Sequence, residues 1–251
     1  MNKKINIYSD NIGFVEYVSH MGSDLTIVNS ARVSFGKHKE KLDTKDKKLI
    51  NYLIKHQHTS TLEHNLVTMR FKVPLFVRSQ HHRHRTWSYN EISRRYTDYC
   101  LEFYEPEKFR TQHKSNRQSS NIKDLIDPQI DMYHPACSKP ISWPASKIIK
   151  NHVKDSVDIF DKLLSQGVCR EQARMILPQN LYTEYYGTCN LNNLLKFISL
   201  RTHAGAQWEI QKVAEGCLEI ITDLWPITVN AYRLQAGEIV SGDTVPPIKK
   251  G

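Results

Sequence analysis

The sequence predicts an α+β fold: a mixed sheet with flanking helices, in a single compact domain over residues 1–251. One strand signal is clear, because Val67, Met69, Phe71 and Val73 alternate with polar residues. Apolar residues recur at helical spacing through the second half of the chain. Few strands in the first half and several helices in the second are typical of the α+β class.

Each element has its own local signal. Residues 24–34 form a predicted short helix after Ser23, which suits an N-cap, and residues 46–55 form a second helix. Pro74 ends the strand and suits the first position of a following helix. The apolar stripes within 149–164 and 210–221 indicate helices packed on the core.

Two segments carry no such pattern. Residues 112–121 are polar throughout, and prolines mark the run from Pro135 to Pro144. We therefore expect a polar excursion at about 112–144 between ordered halves, and a frayed C-terminal tail from about residue 242.

Composition narrows the functional class. The chain has 251 residues, of which 39% are hydrophobic, and a net charge of +9. No apolar run approaches the roughly 20 residues of a membrane span. Five cysteines without a C-x-x-C pair suit reduced thiols in the cytoplasm. The positive charge fits a phosphorylated small molecule or a nucleic acid.

Residues 83–96 concentrate groups that bind anions. Four arginines (Arg83, Arg85, Arg94 and Arg95) lie among serines, tyrosines, Asn90 and Glu91, and lysine is absent from this stretch. Guanidinium groups offer forked donors that match phosphate oxygens. A merely solvated basic face would use lysine freely, so the pattern favours a binding site.

Two other interpretations of this segment stay open at this point. His81, His82 and His84 could bind a metal, but Arg83 and Arg85 beside them disfavour a divalent cation, and we predict no metal site. Single-stranded nucleic acid could bind to the arginines, with Trp87 or Tyr89 as a stacking platform. That basic nucleic-acid-binding protein is the alternative function.

The segment Arg83–Tyr96 matches every fixed position of RHRxxSxNExSxRY, the signature of the flavin-dependent thymidylate synthases. The resemblance extends from about residue 56 to about residue 211. It includes His58-Thr59-Ser60, Glu63-His64, Arg174 to Pro178, Asn190, and the run from Arg201 to Glu209. A full match in fixed order with further matching blocks is a specific signal.

The resemblance implies a homotetramer with FAD at subunit interfaces. Such an enzyme converts dUMP to dTMP with methylenetetrahydrofolate as carbon donor and NADPH as reductant. Because the sequence has no G-x-G-x-x-G segment, the flavin site would not be a Rossmann site. Cys137 is not expected to act as a nucleophile, since the flavin would carry out the carbon transfer and the reduction.

The resemblance also implies residue roles. The FAD contacts would be Ser60, Arg83, His84, Arg85, Glu91, Asn190, Leu191 and Asn192. Lys196 stands where relatives often carry an asparagine that touches FAD, and is included with them. The dUMP contacts would be Gln80, His81, His82, Arg83, Glu91, Ile92, Ser93, Arg94, Arg95, Arg174 and Arg201.

Arg201 matches the arginine that activates the uracil ring in this family, and is the predicted catalytic residue. Beside a pyrimidine, a guanidinium stabilises the negative charge that builds up as C5 becomes nucleophilic. Without the resemblance, an arginine near the end of a helix would need no function, because the helix dipole alone favours it by roughly 0.3–1 kcal/mol.

Overall fold

The computed structural model describes residues 2–98, 100–116, 119–133 and 140–237. The strands are β1 (Lys4–Asn6), β2 (Phe14–Met21), β3 (Leu66–Pro74), β4 (Ser88–Glu91), β5 (Phe109–Gln112), β6 (Ser120–Ile126), β7 (Gln129–Met132), β8 (Ile141–Pro144) and β9 (Tyr182–Asn190). The α-helices are α1 (Asp24–Arg32), α2 (Thr44–Lys55), α3 (Leu75–His81), α4 (Ala145–Ser165), α5 (Arg170–Ala173), α6 (Leu191–Thr202), α7 (Trp208–Leu224) and α8 (Pro226–Ala236).

A five-stranded antiparallel sheet forms the centre of the fold, in the order β1-β2-β3-β9-β4. In β3, Val67, Met69, Phe71 and Val73 are buried, while the residues between them are partly exposed. This alternation confirms the predicted strand. The sheet and its helices together confirm the α+β class.

The predicted helices of the first half are present with small shifts at their ends. Ser23 caps α1 through a capping box with Thr26, which satisfies backbone donors at the start of the helix. In α2 the cap is Asp43, whose carboxylate accepts from the backbone of Lys45 and Asp46. Pro74 precedes the first residue of α3 and is its N-cap, one position earlier than predicted.

The helices of the second half supply much of the core. In α7 all six stripe residues are buried: Ile210, Val213, Ala214, Cys217, Leu218 and Ile221. In α4 only Val153 and Phe160 of the predicted stripe are buried, and Phe160 belongs to a smaller apolar cluster. No helix of the described residues is long and apolar enough to cross a membrane.

The expectation of few strands in the first half is wrong. Of the nine strands in the described residues, six begin before residue 126. Three of these six have only three or four residues, and β4 reads Ser-Tyr-Asn-Glu, so they give no hydrophobic alternation. Within 109–144 lie the hairpins β5-β6 and β7-β8, whose side chains are mostly exposed. Residues 117–118 and 134–139, including Cys137, and the predicted tail from 242 lie outside the described residues.

Candidate active site

The signature segment, Arg83–Tyr96, begins just after α3 and includes β4, the outermost strand of the sheet. Its residues 88–91 form β4, which pairs with β9. Trp87, only 8% exposed, packs against Phe71 and Phe197 and anchors the loop before the strand. Gly187 lies opposite Tyr89, and a Cβ there would lie 2.9 Å from the Phe71 ring. A side chain at residue 187 would therefore displace the rings on which the segment packs.

Beyond β4 the segment forms one wall of a cavity of about 580 Å³, which we call the arginine cavity. Five predicted dUMP contacts line it: Glu91, Ile92, Ser93, Arg94 and Arg174. Glu91 accepts a hydrogen bond of 2.6 Å from the Thr183 hydroxyl, and Arg78 Nε lies 3.2 Å from the same carboxylate oxygen. The structure thus brings together Glu91 and Thr183, which are 92 positions apart in sequence.

Three arginines of the predicted set stand out by their lack of protein partners. Within the described part of the chain, the guanidinium groups of Arg83, Arg85 and Arg174 make no ion pair, hydrogen bond or ring contact, and all three residues are exposed. By contrast, Arg70 and Arg110 are each paired with glutamates. Of the three, only Arg174 lines the arginine cavity. Partnerless guanidinium groups are suited to bind phosphate oxygens.

Arg201 lies in the last turn of α6, as predicted, and contacts two residues of the signature region. Its Nε donates to His84 Nε2 at 3.1 Å, and its Nη2 donates to the backbone carbonyl of Gln80 at 3.3 Å. Arg201, a predicted contact of the uracil ring, therefore touches His84, a predicted contact of FAD.

Burial sets the charge states at this contact. It lowers the pKa of His84 to about 4, with a smaller contribution from the positive charge of Arg201. Burial also lowers the pKa of Arg201 itself. At neutral pH His84 is thus uncharged, so its Nε2 can accept the hydrogen bond that orients the Arg201 guanidinium.

A second cavity of about 400 Å³ lies beside α6 and contains other predicted FAD contacts. Asn192, Lys196, His58 and Thr59 line it, and we call it the lysine cavity. The exposed Lys196 makes no hydrogen bond or ion pair with the described residues, whereas Asn192 Nδ2 donates to Glu63 Oε1 at 2.8 Å. These donors fit the oxygens of a flavin nucleotide.

Other predicted cofactor contacts have mainly structural surroundings. The Asn190 side chain caps α6 by accepting from the backbone of Asn193 at 2.9 Å. Leu191 is completely buried in the main core. Ser60 is exposed on the 3₁₀ turn Thr59–Leu62. Their roles at FAD stay predictions.

The three neighbouring histidines do not share one environment. His81 is completely buried, and its Nδ1 lies 2.8 Å from the Tyr185 hydroxyl. Burial, followed by the nearby histidines and Arg201, lowers its pKa well below the usual value. His82 is only partly buried, and its Nε2 has no partner among the described residues. His81 is therefore walled off from the arginine cavity, and among the described residues no group of metal-binding side chains occurs.

The structure places Arg95 and Trp87 away from the positions that their predicted roles require. Arg95 is exposed and pairs with Glu171 at 3.2 Å; Glu171 lines the arginine cavity, but Arg95 itself does not. Trp87 is packed between rings and cannot stack on a nucleic-acid base, which removes one platform from the nucleic-acid interpretation.

Sequence reasoning missed several residues of the site. Thr183 and Gln179 line the arginine cavity from β9 and from the turn before it, and no local pattern distinguishes them. Arg78 also lines the cavity; its place one helical turn before the signature could have indicated this. Gln207 and Glu209 fall within the matched block after Arg201, but only the fold shows what they contact.

Fold and site together define a class: an α+β protein with an arginine-lined cavity, suited to anionic ligands, at the edge of an antiparallel sheet. Comparison with known proteins gives the family. Residues 16–227 match the family model described as thymidylate synthase complementing protein. The flavin-dependent thymidylate synthase of Thermus thermophilus is 41% identical over 221 residues, which are 88% of this chain and 76% of that protein.

A second relative and a solved structure point to the same family. The flavin-dependent thymidylate synthase of Thermosipho africanus is 37% identical over 232 residues, covering 92% of this chain and 96% of that one. The solved structure of the UMP/dUMP methylase PolB from Streptomyces cacaoi, bound with 5-Br dUMP, aligns with a TM-score of 0.73 and 31% identity. The alignment covers 88% of this chain and 94% of the PolB chain. The chain belongs to the flavin-dependent thymidylate synthase family.

Proposed function

We propose that this protein catalyses the reductive methylation of dUMP to dTMP, with methylenetetrahydrofolate as carbon donor and NADPH as reductant. Its curated relatives carry the name of this activity, and none of the comparisons favours a nucleic-acid-binding protein. The observation that supports the proposal most is the 3.1 Å contact between Arg201 and His84, because it joins the expected uracil and flavin contacts.

The residues divide between two ligands. FAD, when bound, supplies the carbon transfer and the redox chemistry. Arg83, His84, Arg85, Asn192 and Lys196 would hold it, with the partnerless guanidinium groups available to its phosphates.

The arginine cavity would take dUMP. Arg174 and Ser93 would bind its phosphate, and Glu91 suits a sugar hydroxyl because a carboxylate accepts hydrogen bonds. Arg201 would donate to a carbonyl oxygen of the uracil ring. It would thereby stabilise the negative charge that builds up as C5 becomes nucleophilic. Its orientation comes from neutral His84 and the Gln80 carbonyl.

The proposal includes a homotetramer with FAD at subunit interfaces, in the cytoplasm. Supporting it, the exposed Arg83 and Arg85 make no hydrogen bond or ion pair with the described residues and could meet a flavin held partly by a second subunit. The cysteines in the described residues are free thiols.

One assay tests the proposed reaction. Protein purified with added FAD is expected to be yellow and to form dTMP from dUMP only when methylenetetrahydrofolate and NADPH are both present. A protein that takes up no flavin, or one that forms no dTMP in the complete mixture, would contradict the proposal.

A further inference from the structure

Glu209 is a buried carboxylate that the proposed reaction does not yet use. It lies in the first turn of α7 and is 3% exposed. Oε1 accepts from Arg110 Nη2 at 2.6 Å and from the Tyr104 hydroxyl at 3.3 Å. Oε2 accepts from the side-chain amide of Gln207 at 2.9 Å. One oxygen thus satisfies the ion pair that a buried charge needs, while the other points toward Gln207.

The carboxylate determines the direction of the next hydrogen bond. An ionised carboxylate can only accept, so Gln207 must turn its NH₂ group toward Glu209 and its carbonyl oxygen away. That carbonyl accepts from the side-chain amide nitrogen of Gln80. Gln80 must therefore donate with its NH₂ group, and its own Oε1 remains an acceptor that receives no hydrogen bond from the described residues.

This chain of amides ends beside the predicted catalytic group. The Gln80 backbone carbonyl accepts from Arg201 Nη2 at 3.3 Å, so the acceptor on the Gln80 side chain and the donors of Arg201 belong to one locality. Uracil has a ring N3–H donor flanked by two carbonyl acceptors. Cytosine has an acceptor at N3 and an amino group at C4. A free acceptor on Gln80, a residue that Arg201 contacts, would complement the N3–H of uracil and oppose the N3 acceptor of cytosine.

We infer that Glu209 is a positioning residue for pyrimidine selection: through Gln207 it fixes the amide of Gln80 so that Oε1 accepts from the N3–H of uracil. The inference rests on the proposed function, because it takes dUMP as the ligand. Without the carboxylate, the Gln207 amide can rotate by half a turn, and Gln80 can follow it and present NH₂ instead. The ring specificity would then weaken although no residue touching dUMP has changed.

The test uses Gln207→Met in the FAD-loaded full-length protein. Methionine has a similar length but no hydrogen-bonding group, and Glu209 keeps its bonds to Arg110 and Tyr104. Dissociation constants for dUMP and for dCMP are measured with the wild type and the variant. The expected result is about tenfold weaker dUMP binding, the effect of one hydrogen bond, with a smaller preference for dUMP over dCMP.

Tyr104→Phe is the matched control, because it removes another hydrogen bond to the same carboxylate without touching the amides. It should leave both dissociation constants unchanged. A double variant adds a second readout: Gln207→Met should have no further effect in a Gln80→Met background.

Wild-type protein that binds no dUMP and forms no dTMP would overturn the proposed function itself. If the wild type is active but Gln207→Met keeps its preference for dUMP, the inference alone is wrong. The inference is equally wrong if Tyr104→Phe and Gln207→Met weaken dUMP binding by the same factor, since Glu209 would then be only a structural residue.

Discussion

Two cavities of equal volume, about 580 Å³ each, differ in the state of their arginines. The arginine cavity contains Arg174, whose guanidinium has no partner in the described residues. The other cavity, which we call the Trp208 cavity, contains Arg110, held 2.6 Å from the buried carboxylate of Glu209 and stacked over the Trp208 ring. Volume does not distinguish them. The pairing of Arg174 and Arg110 does, because a guanidinium already held by a carboxylate has fewer donors left for a phosphate.

The largest effect is expected at the centre of the proposed chemistry. Arg201→Lys should lower kcat by about 10²- to 10³-fold, since a point charge cannot reproduce the planar guanidinium that His84 and Gln80 orient. FAD content and dUMP affinity should be retained. Steady-state dTMP formation measures the loss, and unchanged turnover would reassign Arg201 to a structural role.

The next prediction compares alanine variants of the two arginines, one from each cavity. Arg174→Ala should raise the KM for dUMP about 10- to 100-fold, the loss of charge-assisted hydrogen bonds, and leave the free energy of unfolding nearly unchanged. Arg110→Ala should instead destabilise the fold by about 3–5 kcal/mol, because Glu209 would remain buried without its cation. Urea unfolding and dTMP assays on both variants measure this. A reversed pattern, with Arg174 stabilising and Arg110 binding, would refute the comparison.

A moderate effect is expected from pH. The pKa of His84 is about 4 in the folded chain, that of His81 is also lowered, and an unfolded histidine titrates near 6.5. Below about pH 6.5 the unfolded state therefore binds more protons, and the free energy of unfolding falls as pH decreases toward 4. Urea midpoints at pH 7.5 and pH 5 should show this decrease, and His84→Asn should reduce it. A midpoint that rises on acidification would contradict the burial of these histidines.

The smallest effect is expected at a paired arginine on the surface. Arg170 bonds Asp98 at 3.0 Å, and both side chains are nearly half exposed. Arg170→Ala should change the free energy of unfolding by less than about 1 kcal/mol and should not alter the KM for dUMP. If Arg170→Ala weakened dUMP binding as strongly as Arg174→Ala, the lack of a carboxylate partner would not be what marks a binding arginine.

The elements with strong periodicity could be predicted from the sequence. β3 and α7 bury their apolar residues as expected, because burial of one face imposes the pattern. Short polar strands such as β4 and β5 could not be predicted, since they are specified by pairing with a distant or neighbouring strand.

For the site, the signature at Arg83–Tyr96 and the further matching blocks that contain Arg174 and Arg201 indicated candidate residues, because their order and spacing are specific. They gave no information about burial. His81 and Leu191 were predicted to contact ligands, yet their side chains lie in the core. Thr183 and Glu209 reach the site only through long-range packing, which a single sequence does not display.

The visible absorbance spectrum of the FAD-loaded protein, titrated with dUMP, tests the central claim most directly. If the arginine cavity binds dUMP beside the flavin contacts of His84, the flavin bands should shift and saturate with added dUMP, and Arg174→Ala should require a higher concentration. A flavin spectrum that does not respond to dUMP at any concentration would contradict the account.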